Sequence, residues 1–311
     1  MTEPATATRR AVTPRQDLLG SALSALMAIQ FAVVVIFGDR IQDGGRPFPI
    51  LAARFAGQTV LLLAALLVLR RPVLPVRGER ATLVLAGLLG YGTESGLYFS
   101  ALNHGKAGAV TLLFYTYPVW VTIATMALDR SAPASKLFVA LGLALAGSAV
   151  VVIGGGEVEV APLGIALALG TSFAYSAYLV TTDRRVKRTD PVVAATWLGG
   201  GAALAHLTFW ALFGGTVPGV DDVAAVAGMA LFSAGAFAAM LGGLQLIGAV
   251  KNAIIGVIEP LSVAILAAFF LAEPITTATA VGGVAILAGA ILATLVRSPA
   301  GTRPPAEAPV V

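Results

Sequence analysis

The chain contains no cysteine, only two histidines, and charged side chains at only 12% of its 311 positions. The missing cysteines exclude a disulfide scaffold, thiol chemistry and any Cys-ligated metal or iron–sulfur centre. His104 and His206 alone leave little for a metal site or a Ser-His-Asp triad. A soluble domain carries about 25% charged residues, so this chain has half the charge needed to coat a globule. What it has instead is apolar: 58% hydrophobic residues and a mean hydropathy of +0.89. They arrive in blocks of about 20, the length that spans a bilayer core. The composition is that of an integral membrane protein.

Ten stretches qualify as spans by length and low internal charge. They are Leu18 to Phe37, Ile50 to Leu69, Ala81 to Leu102, Ala107 to Leu128 and Leu137 to Ile153, then Pro162 to Val180, Val192 to Phe213, Val223 to Leu246, Ala253 to Leu271 and Thr276 to Val296. Continuous apolar runs indicate helices, since barrel strands alternate in segments of about 10 residues. The first run is longer than the ~7–15 apolar residues of a secretory signal and reads as a retained helix. The linkers are too short for a soluble catalytic module. Tails at 1–16 and 298–311 flank the ten spans.

Lysine and arginine predict the orientation. With the N-terminus inside, sixteen of them fall in inner segments: the N-terminal tail, the clusters Arg70 to Arg80 and Arg184 to Arg188, Arg130, Lys136, Lys251 and the C-terminal tail. Only Arg40, Arg46 and Lys106 fall outside, and Arg54 lies within the second span. The bias predicts a multi-pass protein of the cytoplasmic membrane with both termini in the cytoplasm. It also accounts for the pI of 9.6 without nucleic acid as a partner.

The halves resemble each other in a nearly fixed register. Gly20, Ala22, Leu23, Asp39 and Arg40 align with Gly164, Ala166, Leu167, Asp183 and Arg184. With the register shortened by two residues, Pro49, Ala52 and Ala53 meet Pro191, Ala194 and Ala195. Pro118 then meets Pro260, and Leu145-Ala146-Gly147 meets Leu287-Ala288-Gly289. Five spans is an odd number, so the second half enters the membrane from the opposite side. The expected fold is an all-α membrane protein of ten transmembrane helices in two inverted five-helix repeats, at 17–153 and 160–297, an architecture of secondary transporters.

Several short motifs recur in one order: Arg54-Phe55-Ala56, Tyr98-Phe99-Ser100-Ala101-Leu102, Thr116-Tyr117-Pro118, Glu259-Pro260 and Leu271-Ala272-Glu273. In that order and spacing the chain resembles the EamA-type, ten-helix branch of the drug/metabolite transporter superfamily over nearly its whole length. The family usually has Gly where this chain has Ala272, and the first half carries only Asp129 near the register position of Glu273. The resemblance implies proton- or exchange-coupled movement of small metabolites, often export of amino acids or toxic compounds.

A charge at membrane depth costs at least about 2.5–3.5 kcal/mol on insertion scales and calls for a partner or a wet cavity. Arg54, Glu94 and Glu259 lie within spans, with His206 as a fourth titratable group. Tyr91, Glu94 and Tyr98 recur at i, i+3, i+7 and share one helix face. That face suits a cation by charge and by cation–π contact, or a proton-binding acid. Arg54 enters its span from the outside and comes within reach of Glu94 if the helices adjoin. The two are then either a structural pair or part of a site. Glu259 precedes Pro260, which frees a carbonyl one turn earlier; Pro118 and Tyr117 stand at the equivalent positions. Tyr175 and Tyr178, with Ser172, and Gln30 on span one are further binding candidates. For the tyrosines the competing reading is core packing or an interfacial belt, and for His206 it is a hydrogen-bonded packing histidine rather than a proton relay.

No Gly-x4-Gly-Lys-Ser/Thr loop and no dinucleotide fingerprint is present, and no cofactor or metal is expected. The partners expected are a small-molecule substrate, the lipid bilayer and protons, in a monomer or homodimer. An intramembrane enzyme acting on a lipid or isoprenoid carrier needs clustered acid/base or metal-binding groups. The chain offers only Glu157 with Glu159 and Asp221 with Asp222. A passive channel calls for a continuous polar stripe, whereas the polar residues here cluster at discrete depths. Transport is the expected function.

Overall fold

A computed structural model describes residues 13–39, 47–154, 159–272 and 274–296. Arg9, Arg10, Arg40, Arg46, Glu157, Glu273, Arg297 and Arg303 lie outside the described residues, as do nearly all of both tails. Among the described residues the chain is helical, with no strand beyond a single bridge between Gly105 and Val160. Eight helices are long and apolar enough to cross a membrane. The first, α1 (Pro14–Asp39), starts four residues before the expected span. The reason is a reciprocal cap: Thr13 N–H donates to Gln16 Oε1 and Gln16 N–H to Thr13 Oγ1, a capping box with proline at the first helical position.

The second span is α2 (Phe48–Val68). The third is one helical run in three parts: α3 (Arg80–Leu85), a π-helical turn (Ala86–Tyr91) and α4 (Gly92–Leu102). The fourth breaks into α5 (Ala107–Phe114) and α6 (Tyr117–Asp129), and α7 (Ser135–Gly154) ends the first half. Then come α8 (Pro162–Arg185), α9 (Pro191–Phe213), α10 (Val223–Gly256), α11 (Ile258–Phe270) and α12 (Thr277–Leu295).

The expected boundary between spans eight and nine needs correction. Helical structure resumes directly after Gly248, whose φ of 76° and ψ of 170° turn the chain inside α10. Only glycine takes that backbone geometry without a Cβ clash. Lys251, expected in an inner loop, is therefore helical and 3% exposed. Its ammonium donates to Asp17 Oδ2 at 2.8 Å and to the carbonyls of Val296 at 2.8 Å and Thr294 at 3.3 Å. These contacts bring the start of α1 and the end of α12 to one end of the bundle.

The two halves fold alike. The first is interrupted at Tyr115 and Thr116, just before Tyr117-Pro118, and the second at Val257, just before Ile258-Glu259-Pro260. Proline has no N–H to offer the preceding turn, and the helix restarts with Pro near its first position. Packing repeats as well: α1 lies on α10 as α8 lies on α4, while α2 pairs with its equivalent α9 and α7 with its equivalent α12. The α7–α12 crossing is itself two-fold. A Cβ on Gly147 would meet the Gly282 carbonyl at 2.5 Å, and one on Gly289 would meet the Ala140 carbonyl at 2.7 Å. Backbones this close require glycine, the small-residue packing of membrane helices.

Candidate functional site

Arg54, on the inward face of α2, is 6% exposed. Its Nε donates to Ser233 Oγ of α10 at 2.7 Å, and the guanidinium carbon stands 4.9 Å from the Phe55 ring centroid. Its charge acts on Tyr91, Glu94 and Glu259. The structure therefore brings together the three charged groups expected within the spans, drawn from α2, α4 and α11.

Glu94 sits in the first turn of α4, immediately after the π turn, and is 6% exposed. Its Oε2 is buried and has no hydrogen-bond partner in the protein. A buried polar oxygen without a partner is rare and costly. Glu259 is half-buried in the first turn of α11, with the Tyr115 side chain beside it.

Around these groups stand all six tyrosines of the chain, joined by edge and tilted ring contacts. Tyr91 meets Phe237 at 4.6 Å, Phe55 at 5.5 Å, Tyr178 at 5.8 Å and Tyr175 at 6.3 Å. Tyr175 meets Tyr117 at 4.8 Å, and Phe114 links Tyr98, Tyr115 and Tyr117. Five of the six are buried and Tyr98 is half-buried, so this is an interior cluster and not an interfacial belt. Some hydroxyls are tied: Tyr98 to Thr111 Oγ1 at 2.8 Å, Tyr117 to the Ala253 carbonyl at 3.2 Å, and Tyr175 and Tyr178 to the Met240 sulfur. Ser176 donates to the Tyr117 carbonyl, and Ser172 and Thr116 share a hydrogen bond, so α8 supplies partners to the broken fourth span.

His206 is fully buried at the edge of this cluster. Its ring stacks on Phe55 at 5.5 Å and 9°, and Nε2 is 2.8 Å from Ser95 Oγ. Because the Ser95 hydroxyl already donates to the Tyr91 carbonyl at 2.7 Å, this geometry suits an imidazole that donates from Nε2. Gln30 lies apart, in the seam between α1 and α10 against Gly235. Its Oε1 is buried without a partner. One residue on, Phe31 reaches the cluster through Phe237 at 5.4 Å.

Phe55, from the Arg54-Phe55-Ala56 motif, completes the site with Ser233, Ser95, Phe237 and Met240, which carry no motif that singles them out; Ser233 stands in a run of small residues. Among the described residues no three His, Asp or Glu gather closely enough to hold a metal ion. One guanidinium and two carboxyls inside an aromatic shell can take up a cation, a zwitterion or a proton.

Fold and site together define a multi-pass helical membrane protein made of two like repeats with a charged, aromatic-lined centre. The sequence matches the EamA-like transporter family over residues 18–153 and again over 162–295, and the chain belongs to that family. A relative from Synechocystis sp., described as an uncharacterized transporter, is 26% identical over 186 residues. That match covers 58% of this chain and 56% of the relative, so the chain aligns with little more than half of the relative's length. A protein of known crystal structure superposes with a TM-score of 0.75 at 22% identity, over 90% of this chain and 96% of its own. That likeness is one of fold.

Proposed function

We propose that the chain is a secondary active transporter that moves a small cationic or zwitterionic metabolite, such as an amino acid or an organic cation, across the cytoplasmic membrane. It works by alternating access as an exporter, coupled to protons or to exchange. The ten spans form two inverted five-helix repeats, with both termini in the cytoplasm. One chain carries both repeats, so a monomer suffices for the cycle and a homodimer is not required. Membership of a transporter family supports transport over chemistry as the task.

The observation that carries the reading is Glu94 Oε2, buried without a protein partner in reach of Arg54 and Glu259. A purely structural pair would put the guanidinium on the carboxylate, whereas Arg54 Nε is held by Ser233. A substrate ammonium or a proton satisfies the orphaned oxygen, and the tyrosine faces favour a cation beside it. Arg54 then offers its charge to a substrate carboxylate.

The test is counterflow in sealed liposomes with a panel of labelled amino acids and organic cations, with and without an inward-acid gradient. Saturable counterflow of one solute, lost in Glu94→Gln or Glu259→Gln, is expected. Unsaturable leak through the wild type would overturn the reading in favour of a channel.

A further inference from the structure

The end of the bundle where α1 starts is held by a contact that joins the two repeats through main-chain groups. Glu79, in the loop before α3, is 7% exposed. Its Oε1 accepts the backbone N–H groups of Lys187 at 3.0 Å and Arg188 at 2.9 Å, and its Oε2 accepts that of Thr189 at 2.9 Å. These three amides form the turn between α8 and α9, in the other repeat. Three consecutive amides directed at one carboxylate form a nest-like anion site. The same turn is gripped from its own repeat by Gln245 of α10, which donates to the Thr189 carbonyl at 2.9 Å. Beside it Asp183 Oδ2 accepts the Ala249 N–H, where the chain resumes its helix after Gly248.

We infer that Glu79 is the latch of a cytoplasmic gate: its carboxylate holds the α8–α9 turn closed over the inner approach to the site, and release of that turn opens the site to the cytoplasm. The inference rests on the alternating-access reading and on the orientation proposed with it. Rocking of one repeat against the other must break some of the contacts that join them, and this one is suited to breaking. Its main donors are backbone amides; among the turn's side chains, Thr189, whose hydroxyl also accepts the Val76 N–H at 3.1 Å, has to let go. It sits in the loops at the water-facing end, where released amides and carboxylate both find water. Opening there exchanges one set of hydrogen bonds for another, and the net difference stays small. The same break at the membrane centre would leave orphaned groups. A gate needs two states of similar energy, and a charge–amide latch at a wet surface supplies them.

Thr182 reports the state of the gate. It lies on α8 next to Asp183 and four residues from Tyr178, on the same helix face between latch and site. It is 1% exposed, and its Oγ1 has no partner, so cysteine replaces it without losing a hydrogen bond. The chain has no cysteine of its own, so Thr182→Cys is a single probe.

In inside-out membrane vesicles, alkylation of that cysteine by an impermeant maleimide is expected to speed up about tenfold when Glu79→Gln is added, the factor that follows from about 1.4 kcal/mol of lost latch. Glu79→Asp keeps the charge on a shorter arm and should give a smaller rise; it also serves as the test if the glutamine variant fails to accumulate. Ser148→Cys is the control, at a site 1% exposed in α7 whose hydroxyl likewise has no partner. It should stay unreactive in every background. Unchanged labelling at position 182, or an equal rise at position 148, overturns the latch. No solute is involved, so the outcome is separable from the transport reading. A working latch in a protein that moves nothing would sink only the transporter, and normal counterflow with an unresponsive Thr182→Cys would sink only the latch.

Discussion

Replacing Lys251 by methionine keeps an unbranched apolar stem of similar length and removes only the ammonium. That group is 2.8 Å from Asp17 Oδ2 and also donates to the carbonyls of Thr294, in the last turn of α12, and of Val296, its C-cap. The ammonium thus neutralises a carboxylate and caps a helix C-terminus, where partial negative charge accumulates. Side-chain exposures of 3% and 13% mark the pair as buried. Removing one partner from such a pair costs about 3–5 kcal/mol, and the slight access of water to Asp17 points to the lower figure. At about 2 °C per kcal/mol for a chain of this size, the unfolding midpoint of Lys251→Met should fall by about 6 °C. Thermal unfolding of the purified protein in detergent, followed by tryptophan fluorescence, reads it. Adding Asp17→Asn removes the opposite charge of the pair and should recover part of the loss. An unchanged midpoint in the single variant, or a double variant that falls by the sum of the two singles, would show that the Asp17–Lys251 pair does not stabilise the fold.

The α7–α12 crossing predicts opposite signs for two Gly→Ala changes in one helix pair. Gly282→Ala drives a methyl to 2.5 Å from the Gly147 carbonyl and should destabilise by about 1–3 kcal/mol. Gly142→Ala meets nothing within 4 Å and should stabilise by up to about 1 kcal/mol through helix propensity; the same melting experiment checks both. For Glu79, burial raises the carboxyl pKa, but hydrogen bonds from the Thr189 hydroxyl and the amides of Arg188, Thr189 and Lys187 outweigh it and hold the group below its ordinary 4.5. A lowered folded pKa means the contribution is complete above about 4.5 and fades as pH falls through the folded value. Acid unfolding curves of the wild type should show this component, and those of Glu79→Gln should lack it. Ser233→Ala strips Arg54 Nε of its acceptor, a hydrogen bond to a charged group of about 1.5–3 kcal/mol. Counterflow should show roughly tenfold weaker apparent affinity, and an unaltered affinity would remove Ser233 from the site.

Much of this fold was legible because the bilayer imposes run length. The apolar blocks overlap the eight helices long and apolar enough to cross a membrane, and the paired prolines at 118 and 260 marked the two matched helix breaks. Lys251 shows where such reading fails. Charge counting assigns a lysine to a loop because an unpaired one is costly in a membrane, whereas its partners, Asp17 and the end of α12, are remote in sequence. The π turn at Ala86–Tyr91 has no proline to announce it. It arises where the third span packs on α9, a tertiary cause. Within the site, Tyr91, Glu94 and Tyr98 were legible as one helix face. The convergence of Arg54 and Glu259 on that face depended on three helices that no local pattern links. Gln30 stood one position from the register partner of Tyr175, and that one position turns it into the α1–α10 seam.

The most direct test of the central claim, that a solute binds where Glu94, Arg54 and Glu259 converge, is equilibrium binding of the counterflow substrate to purified wild type and Glu94→Gln. The variant, folded and melting near the wild-type temperature, should lose at least about tenfold in affinity, the size expected when one charged hydrogen bond of about 1.5–3 kcal/mol is removed. Unchanged affinity in a folded Glu94→Gln protein would contradict it and move the binding site elsewhere in the bundle.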